Sequence, residues 1–394
     1  MNKEIVRQIF SRLDELKPQL VEMSKQIWDH PEIGYTEHFA SELLASYLEK
    51  HGFAVQRGVG KLDTAFIARK GRGHFNIGFC SEYDALPNGH SCGHNLFSVA
   101  AVGAAVAYAE TSPDAVVTVI GCPSEEGSVT GSSGKVFLLR DGAFDGLDFA
   151  MIAHADGQSV IERRLVSTDR TDITFMGKGA HAGGSPEKGV NALSAGILFM
   201  NAMNARRQHF TKGMRFNTVL TDGGMSSNVI PERCSLSVDM RAADPQETAV
   251  LSQWVNDAAK GASLMTGCSL EIVPSPTPTA CLHPNHALAC AYKACMDLLG
   301  CSYIETDSRG YGWDMGSVGL FIPVIAPYHK IGPDTLVGHT EEFKECARSP
   351  VAFEALLTSA KCMVYTAMEY CSNSALREAI RSEFNSYAAK NSRG

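Results

Sequence analysis

One stretch of fourteen residues, 82–95, limits the possible folds of this chain more than any other. It holds two carboxylates, two histidines and a cysteine, separated by one proline and two glycines that exclude a regular helix or strand. The run before it, 75–80, is short, apolar and strand-like, and the run after it, 96–109, is apolar and long enough for a buried helix. We therefore expect a loop between a strand end and a helix start, where α/β sheets carry their chemistry.

The side chains of this loop are of the types that bind transition metals. Cys92 and His94 are two positions apart, and Asp84 precedes them. Thiolate, imidazole and carboxylate groups together suit such an ion. A cysteine alone is usually a small core residue, and a loop histidine alone is usually solvated, so the prediction of a metal site depends on the group and requires further ligands.

Two later apolar runs also end in candidate ligands. The run 115–121 is followed by Glu125 and Glu126, whose side chains point apart, so one could hold metal while the other carries a proton. The alternative is a solvated loop pair, which the position after a buried strand disfavours. The run 149–153 is followed by His154, for which a structural core histidine stays an open alternative.

Length and charge exclude several classes of protein. A chain of 394 residues exceeds one ordinary core and predicts two domains, or one domain with an insertion. A formal charge of −8 without a basic block argues against a nucleic-acid partner. The N-terminus is charged, and no apolar run approaches the roughly eighteen residues of a membrane span. Twelve irregularly spaced cysteines are typical of reduced thiols, so we expect a cytoplasmic protein without a membrane partner.

The hydrophobic pattern changes after about residue 161. Alternating strand-like runs and two helical patterns follow in the order βαββαβ, which is typical of a split βαβ unit, and a proline-rich stretch then leads back. The predicted fold is α/β, with a metal-binding catalytic domain formed by residues 1–163 and 280–394. We expect a central mixed sheet flanked by helices in that domain and an inserted ferredoxin-like α+β domain over residues 164–279.

Seven short motifs, spread over nearly the whole chain in one order, resemble those of the M20 family of metallopeptidases and amidohydrolases. They are His30–Glu32, Glu82–Pro87, Gly89–Asn95, Pro123–Glu126, Gly179–Gly183, Asn228–Pro231 and Gly338–Thr340. The forms of the second and third motifs are similar to the branch that contains aminobenzoyl-glutamate hydrolase subunits and the M20 domain-containing protein 2 dipeptidases.

The resemblance implies two divalent ions, zinc or manganese, held by five residues. The implied ligands are Cys92, His94, Glu126, His154 and His339. It also implies that Glu125 is the general base and that Asp84 orients a ligand. Other branches keep a histidine ligand near Glu82, and the sequence leaves open whether Glu82 binds metal, as it leaves open which ligand serves which ion.

The resemblance further implies that the inserted domain is a lid that also forms a homodimer. His181 would reach the oxyanion, and Asn228 would support substrate binding beside it; for His181 the alternative is a turn residue among glycines. A substrate carboxylate requires a cation, for which Arg241 and Arg309 are candidates, although both could be ordinary scaffold arginines.

The expected function is metal-dependent hydrolysis of an amide or peptide bond in a small carboxylate-bearing substrate, such as a dipeptide, an N-acyl amino acid or an aminobenzoyl-glutamate compound. One alternative is a hydrolase acting on a different C–N bond or on an ester, for which the same residues would serve. The other is a non-catalytic binding or regulatory protein that keeps the fold. The presence of Glu125 and all five implied ligands argues against the latter.

Overall fold

The computed structural model describes residues 3–111 and 114–391. The α-helices within them are α1 (Lys3–Asp29), α2 (His38–Lys50), α3 (His94–Thr111), α4 (Gly127–Thr130), α5 (Gly134–Arg140), α6 (Ala192–Arg206), α7 (Pro245–Thr266), α8 (His286–Leu298), α9 (Met315–Val318), α10 (Glu341–Cys346), α11 (Pro350–Ser372) and α12 (Ser374–Asn391). Among the described residues, no helix combines the length and the apolar character that crossing a bilayer requires.

The strands among the same residues range from two to ten residues in length and fall into three sheets. They are β1 (Ala54–Arg57), β2 (Phe66–Gly71), β3 (Phe75–Glu82), β4 (Ala115–Cys122), β5 (Phe149–Met151), β6 (His154–Asp156), β7 (Val160–Arg164), β8 (Ser167–Met176), β9 (Arg215–Asp222), β10 (Arg233–Ala242), β11 (Ser269–Pro274), β12 (Ile304–Ser308), β13 (Val324–Ile325) and β14 (Tyr328–Lys330).

The described residues divide into two compact units. The first unit contains the residues up to Arg164, Leu282–Arg309 and the residues from Asp314 onward, and the second contains Leu165–Cys281 and Gly310–Trp313. The short segment 310–313 belongs to the second unit by hydrogen bonding as well, because the N–H of Val166 donates to the carbonyl of Tyr311 at 3.2 Å.

The first unit is built on a six-stranded mixed sheet in the order β1-β2-β4-β3-β5-β13. Strand β3 is parallel to β4 and β5, whereas β2 is antiparallel to β1 and β4. Helix α3 is apolar on every side and almost entirely buried, and it contacts β3, α1 and α11. This arrangement confirms the predicted mixed sheet with flanking helices.

The first unit also contains a second sheet that the sequence patterns did not predict, in the order β12-β7-β14-β6. We expected the apolar run 149–153 to be one strand that ends before His154. In the structure β5 stops at Met151, and His154 instead opens β6 in the second sheet. Strands of three to five residues are too short to leave a periodic pattern.

The second unit is a four-stranded antiparallel sheet in the order β11-β8-β10-β9, with helices α6 and α7 packed on it. The chain order is βαββαβ, and the strand order is that of a split βαβ fold. Its core contains the buried side chains of Phe175, Phe199, Leu236 and Leu251. The predicted ferredoxin-like insertion is therefore confirmed.

Candidate metal centre

Two loops of the first unit carry or adjoin three of the five candidate ligands, Cys92, His94 and Glu126, and both leave the ends of neighbouring parallel strands. Of the other two, His154 opens β6 and His339 precedes α10. The first loop joins β3 to α3, and Gly93 within it has a φ of 82°. A Cβ atom at Gly93 would lie 2.5 Å from the Cβ of Ala155, so the close approach requires glycine. The second loop follows β4, where Ser124 has a φ of 52°. Because β3 and β4 are parallel, both loops lie at the same edge of the sheet.

Three groups of potential ligands meet at this edge, and within each group the ligand atoms lie within 4.8 Å of one another. The groups are Cys92 with His94 and His154, Cys92 with Glu126 and His339, and His94 with Glu125 and Glu126. The structure thus brings together all five residues that the sequence resemblance implied as ligands.

Cys92 is common to the first two groups. Its Sγ lies 3.4 Å from Nε2 of His154 and 3.7 Å from Nε2 of His339. The Nε2 atom of His339 is in turn 3.3 Å from Oε1 of Glu126. The Sγ atom therefore lies close to Nε2 of His154 in one group and to Nε2 of His339, next to Glu126, in the other.

The histidines are oriented as metal ligands require. Nδ1 of His94 lies 2.9 Å from the backbone carbonyl of Asp84, and Nδ1 of His154 lies 2.8 Å from that of Ala155. In each ring Nδ1 donates its proton to that carbonyl, so a metal ion would bind at Nε2. Burial lowers the pKa of His94, but the charge of Asp84 and the contacts with Cys92 together raise it well above its usual range, so this ring would release a proton from Nε2 when a metal binds. Among the described residues the buried Nε2 of His94 has no hydrogen-bond partner, and its nearest carboxylate oxygens are 3.6 Å away on Glu125 and 3.7 Å away on Glu82. Such spacing around an unpaired nitrogen fits a metal ion.

Asp84 connects the two loops. Its Oδ1 is 3.0 Å from Nδ1 of His94, and its Oδ2 accepts a 2.9 Å hydrogen bond from the backbone N–H of Glu126. Burial opposes ionisation of Asp84, but the charge and hydrogen bond of His94, the N–H of Glu126 and the charge of Lys135 together outweigh burial and lower the pKa of the carboxyl. Asp84 therefore contacts ligand-bearing residues as an anion.

The two adjacent glutamates have pKa values that are shifted in opposite directions. Burial, followed by the charges of Glu126 and Glu82, raises the pKa of Glu125 well above its usual range. For Glu126 burial is outweighed by the hydrogen bond from His339 and the charge of His94, so its pKa is lowered. Carboxyl groups whose surroundings separate their pKa values in this way divide into a proton carrier and a permanent anion.

The pKa values of two further candidate ligands, His154 and Cys92, are shifted in the direction that burial predicts. Burial, helped by the charge of His94, lowers the pKa of His154 to about 4, so this imidazole is neutral near pH 7. Burial also raises the pKa of the Cys92 thiol, and the charge of Glu126 acts in the same direction. A thiol in such a position becomes a thiolate when a metal binds, and that binding releases a proton.

Sequence reasoning missed Lys135, a fully buried cation beside the ligand groups. Its Nζ forms ion pairs with Glu82 and, at 2.7 Å, with Oδ1 of Asp314, while its backbone N–H donates to Oδ2 of Asp314 at 3.0 Å. The open question about Glu82 thus has a structural answer in part: one of its oxygens contacts Lys135. Lys135 lies among apolar residues in a short helix, and no local pattern distinguishes it.

Several known proteins are similar to this chain. The M20 family model described as "Peptidase dimerisation domain" matches residues 169–264. An Xaa-Arg dipeptidase of Mus musculus is 33% identical over 400 residues, which cover 96% of this chain and 91% of the relative. The chain belongs to the M20 family. One of the p-aminobenzoyl-glutamate hydrolase subunits of Escherichia coli (strain K12) is 34% identical over 293 residues, covering 68% of this chain and 60% of the relative.

Solved structures show the same fold. A dinuclear metal binding peptidase of the M20 family from Bacillus subtilis matches with a TM-score of 0.66 and 17% identity, over 90% of this chain and 99% of that one. An aminobenzoyl-glutamate utilization protein from Klebsiella pneumoniae matches with a TM-score of 0.69 and 17% identity, over 91% and 98%. Since the M20 relatives are named as peptidases and hydrolases, this M20 chain is an enzyme, and the alternative of a non-catalytic protein is set aside.

The M20 dimerisation-domain match covers most of the second unit, which holds His181 and Asn228. The Nδ1 atom of the exposed His181 ring accepts hydrogen bonds from the N–H groups of Gly183 (3.1 Å) and Gly184 (2.9 Å). The neutral ring therefore carries its proton on Nε2. The N–H of Ala182 donates to the carbonyl of Asn228 at 2.9 Å, which places the two candidates side by side.

The two candidate arginines of this M20 enzyme already bind protein oxygens. Nε of Arg241 donates to Oδ2 of Asp239 at 2.8 Å, and its Nη1 donates to the carbonyl of Gly310 at 2.9 Å. In the first unit, Nη2 of Arg309 lies 3.1 Å from Oδ2 of Asp307. Each therefore has a structural contact in addition to any role in binding.

Proposed function

We propose that this M20 enzyme hydrolyses an amide or peptide bond in a small carboxylate-bearing substrate, with two divalent ions, zinc or manganese, and Glu125 as general base. The observation that carries the proposal is the convergence of Cys92, His94, Glu126, His154 and His339 in overlapping groups, with Glu125 beside His94 and Glu126. Three nitrogens, a sulfur and a carboxylate match the donors that zinc prefers, whereas manganese prefers oxygen donors such as the carboxylate.

The sharing of Cys92 supports two ions rather than one. Cys92, His94 and His154 would hold one ion, and Cys92, Glu126 and His339 would hold the other. When bound, the ions lower the pKa of a water molecule and polarise the substrate carbonyl. The site also concentrates negative charge, because the buried carboxylates of Glu82, Asp84, Glu126 and Asp314 outnumber the buried ammonium of Lys135.

Glu125 would move the proton. Its raised pKa would let the carboxylate take a proton from water and then deliver that proton to the leaving nitrogen as the C–N bond breaks. Glu126 would stay ionised and hold its ion, and Asp84 would keep His94 in the tautomer that binds metal. The opposite pKa directions of Glu125 and Glu126 support this division.

The second unit would contribute to binding and to the oxyanion. His181 would donate its Nε2 proton to the developing oxyanion, which the Nδ1 contacts with Gly183 and Gly184 support. Asn228 would bind substrate beside it, and Arg241 or Arg309 would pair with the substrate carboxylate.

We also propose that the chain forms a homodimer through its second unit and works in the cytoplasm. The dimerisation-domain match to residues 169–264 supports the dimer. None of the twelve cysteines, all of which lie among the described residues, forms a disulfide, and this supports a reducing compartment. We place the catalytic domain at residues 1–163 and 280–394. The lid, which would form the dimer, comprises residues 164–279.

A dipeptide is the first substrate class to test, since a relative that is matched over 96% of this chain and 91% of its own length is named an Xaa-Arg dipeptidase. Purified protein reloaded with zinc or manganese should be assayed against Xaa-Arg and β-alanyl dipeptides, N-acetyl amino acids, aminobenzoyl-glutamate and matching esters. We expect about two ions per chain and turnover of one amide class. The matched variant Glu125→Gln should retain the metal and lose about 10²- to 10⁴-fold in kcat.

Two results would overturn the proposal. Wild-type protein that carries its ions and cleaves none of these amides would refute the substrate class, and cleavage of esters alone would favour the alternative hydrolase. Full activity in Glu125→Gln would refute the assigned base.

A further inference from the structure

The segment Glu32–Glu37 follows α1 and includes the last residue of the motif His30–Glu32, to which the proposed reaction gives no role. Its residues contact both ligand-bearing loops. The backbone carbonyl of Glu32 accepts a 2.8 Å hydrogen bond from the N–H of Ala85, next to Asp84. We call Glu32–Glu37 the brace segment.

The brace segment also contacts the loop that carries Glu125 and Glu126. The carboxylate of Glu37 is completely buried, and its Oε1 accepts a 2.7 Å hydrogen bond from the backbone N–H of Ser124. Its Oε2 accepts from Oγ1 of Thr64 at 2.8 Å. A Cβ atom on Gly34 would lie 2.5 Å from Oγ of Ser124, so the brace backbone is in close contact with this residue.

Ser124 requires such support because of its backbone conformation. Its φ of 52° lies in the left-handed region, which a residue with a side chain adopts only when its surroundings hold it there. The backbone two residues later is held in a similar way, since Oδ2 of Asp84 accepts a 2.9 Å hydrogen bond from the N–H of Glu126. Two buried carboxylates thus fix two N–H groups that flank Glu125.

We infer that Glu37 is a positioning residue: by holding the N–H of Ser124, its buried carboxylate fixes the turn that aims Glu125 and Glu126. The consequence for catalysis rests on the function proposed above, whereas the consequence for the turn does not. Glu37 acts only through the backbone of Ser124.

The test compares two substitutions whose side chains are nearly as long as that of glutamate. Glu37→Met removes both hydrogen-bond acceptors and keeps the buried volume, whereas Glu37→Gln keeps an oxygen for the N–H of Ser124. Thr64→Val is the matched control, because it removes the other bond of Glu37 and leaves the bond to Ser124. Three quantities are measured: amide hydrogen exchange in the peptide spanning 124–126, metal affinity against a competing chelator, and kcat with KM.

In Glu37→Met we expect the backbone amides of this peptide to exchange hydrogen faster and the metal to bind about 10- to 100-fold more weakly. The fold-decrease in kcat should be larger than the fold-change in KM. Glu37→Gln and Thr64→Val should remain close to wild type in all three measurements. The inference would be overturned if the amides of 124–126 exchanged as slowly in Glu37→Met as in wild type. It would also be overturned if Glu37→Gln lost as much metal affinity and kcat as Glu37→Met.

A second variant covers the case in which Glu37→Met does not fold. Gly34→Ala places a methyl group against Ser124 and keeps Glu37, and it should give the same faster exchange and the same loss of kcat. Unchanged exchange in this variant would count against the inference. If the wild-type protein cleaves no amide, the proposed function fails while the exchange measurement still decides the role of Glu37.

Discussion

The ligand loops of the first unit and the His181 turn of the second unit hold their functional side chains by different means. In the ligand loops and the elements packed beside them, buried charged side chains contact one another and the backbone: Asp84 contacts His94 and the N–H of Glu126, and Lys135 of α5 pairs with both Glu82 and Asp314. His181 is exposed, and only backbone N–H groups contact its ring nitrogen.

This difference has an energetic consequence. Removing one member of a buried charged group leaves the remaining members without compensation, so function and stability change together. An exposed histidine on a turn leaves no buried partner when it is replaced. We therefore expect substitutions in the ligand loops to lower stability and those at His181 to affect only the reaction.

The largest expected effect is that of Lys135→Met. The free energy of unfolding should fall by about 3–5 kcal/mol, because Glu82 and Asp314 are left buried without a cation. Urea unfolding followed by circular dichroism measures the change. Lys293→Met is the matched control, since Lys293 pairs with Glu305 at the surface, and its loss should be much smaller. Equal losses in both variants would break the comparison.

His181→Ala should lower kcat by about 10²- to 10³-fold, as removal of an oxyanion donor does. The urea midpoint and the metal content should match those of wild type, since no buried group depends on this ring. His209→Ala, an exposed histidine of the same unit, should leave kcat unchanged. Loss of metal or of stability in His181→Ala would contradict the distinction between the two regions.

The smallest expected effect is the pH dependence of stability at Glu37. Burial, followed by the charge of Asp84, raises its pKa from the ordinary 4.5 to about 7. Between these values the folded protein keeps a proton that the unfolded chain has lost, so stability falls as pH rises through this window, by up to ~3 kcal/mol.

The measurement is urea unfolding of chelator-treated wild type and Glu37→Gln from about pH 5 to about pH 8. Glutamine does not titrate, so the difference in unfolding free energy between the two proteins should move against wild type as pH rises. A constant difference would show that the pKa of Glu37 is not shifted by folding, and a difference that moves in favour of wild type would show that folding lowers it; either result would contradict the prediction.

Much of the fold could be predicted because its long elements leave clear patterns. The apolar runs before Glu82 and after His94 predicted β3 and α3, and the alternating runs of the second unit predicted its βαββαβ order. The second sheet was missed, because β6 and β14 have only three residues each. For the same reason His154 was expected to close one strand, whereas it opens another.

Some residues of the candidate site could likewise be predicted from the sequence, and others could not. Residues close together in the chain, such as Cys92 and His94 or Glu125 and Glu126, could be recognised by residue type and by position after a strand. Lys135 could not, because it meets its partner Asp314 across 179 positions of sequence and lies in a helix without a distinguishing pattern.

The sequence by itself determined the residue types of the site, the strand ends that carry them and the order of the inserted domain, because these depend on local propensity and periodicity. Only the tertiary structure decided which atoms meet: that Cys92 is shared by two ligand groups, that Lys135 compensates Glu82, and that Glu37 holds Ser124 from 87 positions away. Such contacts depend on burial and charge between distant segments, which the packing of the whole unit creates.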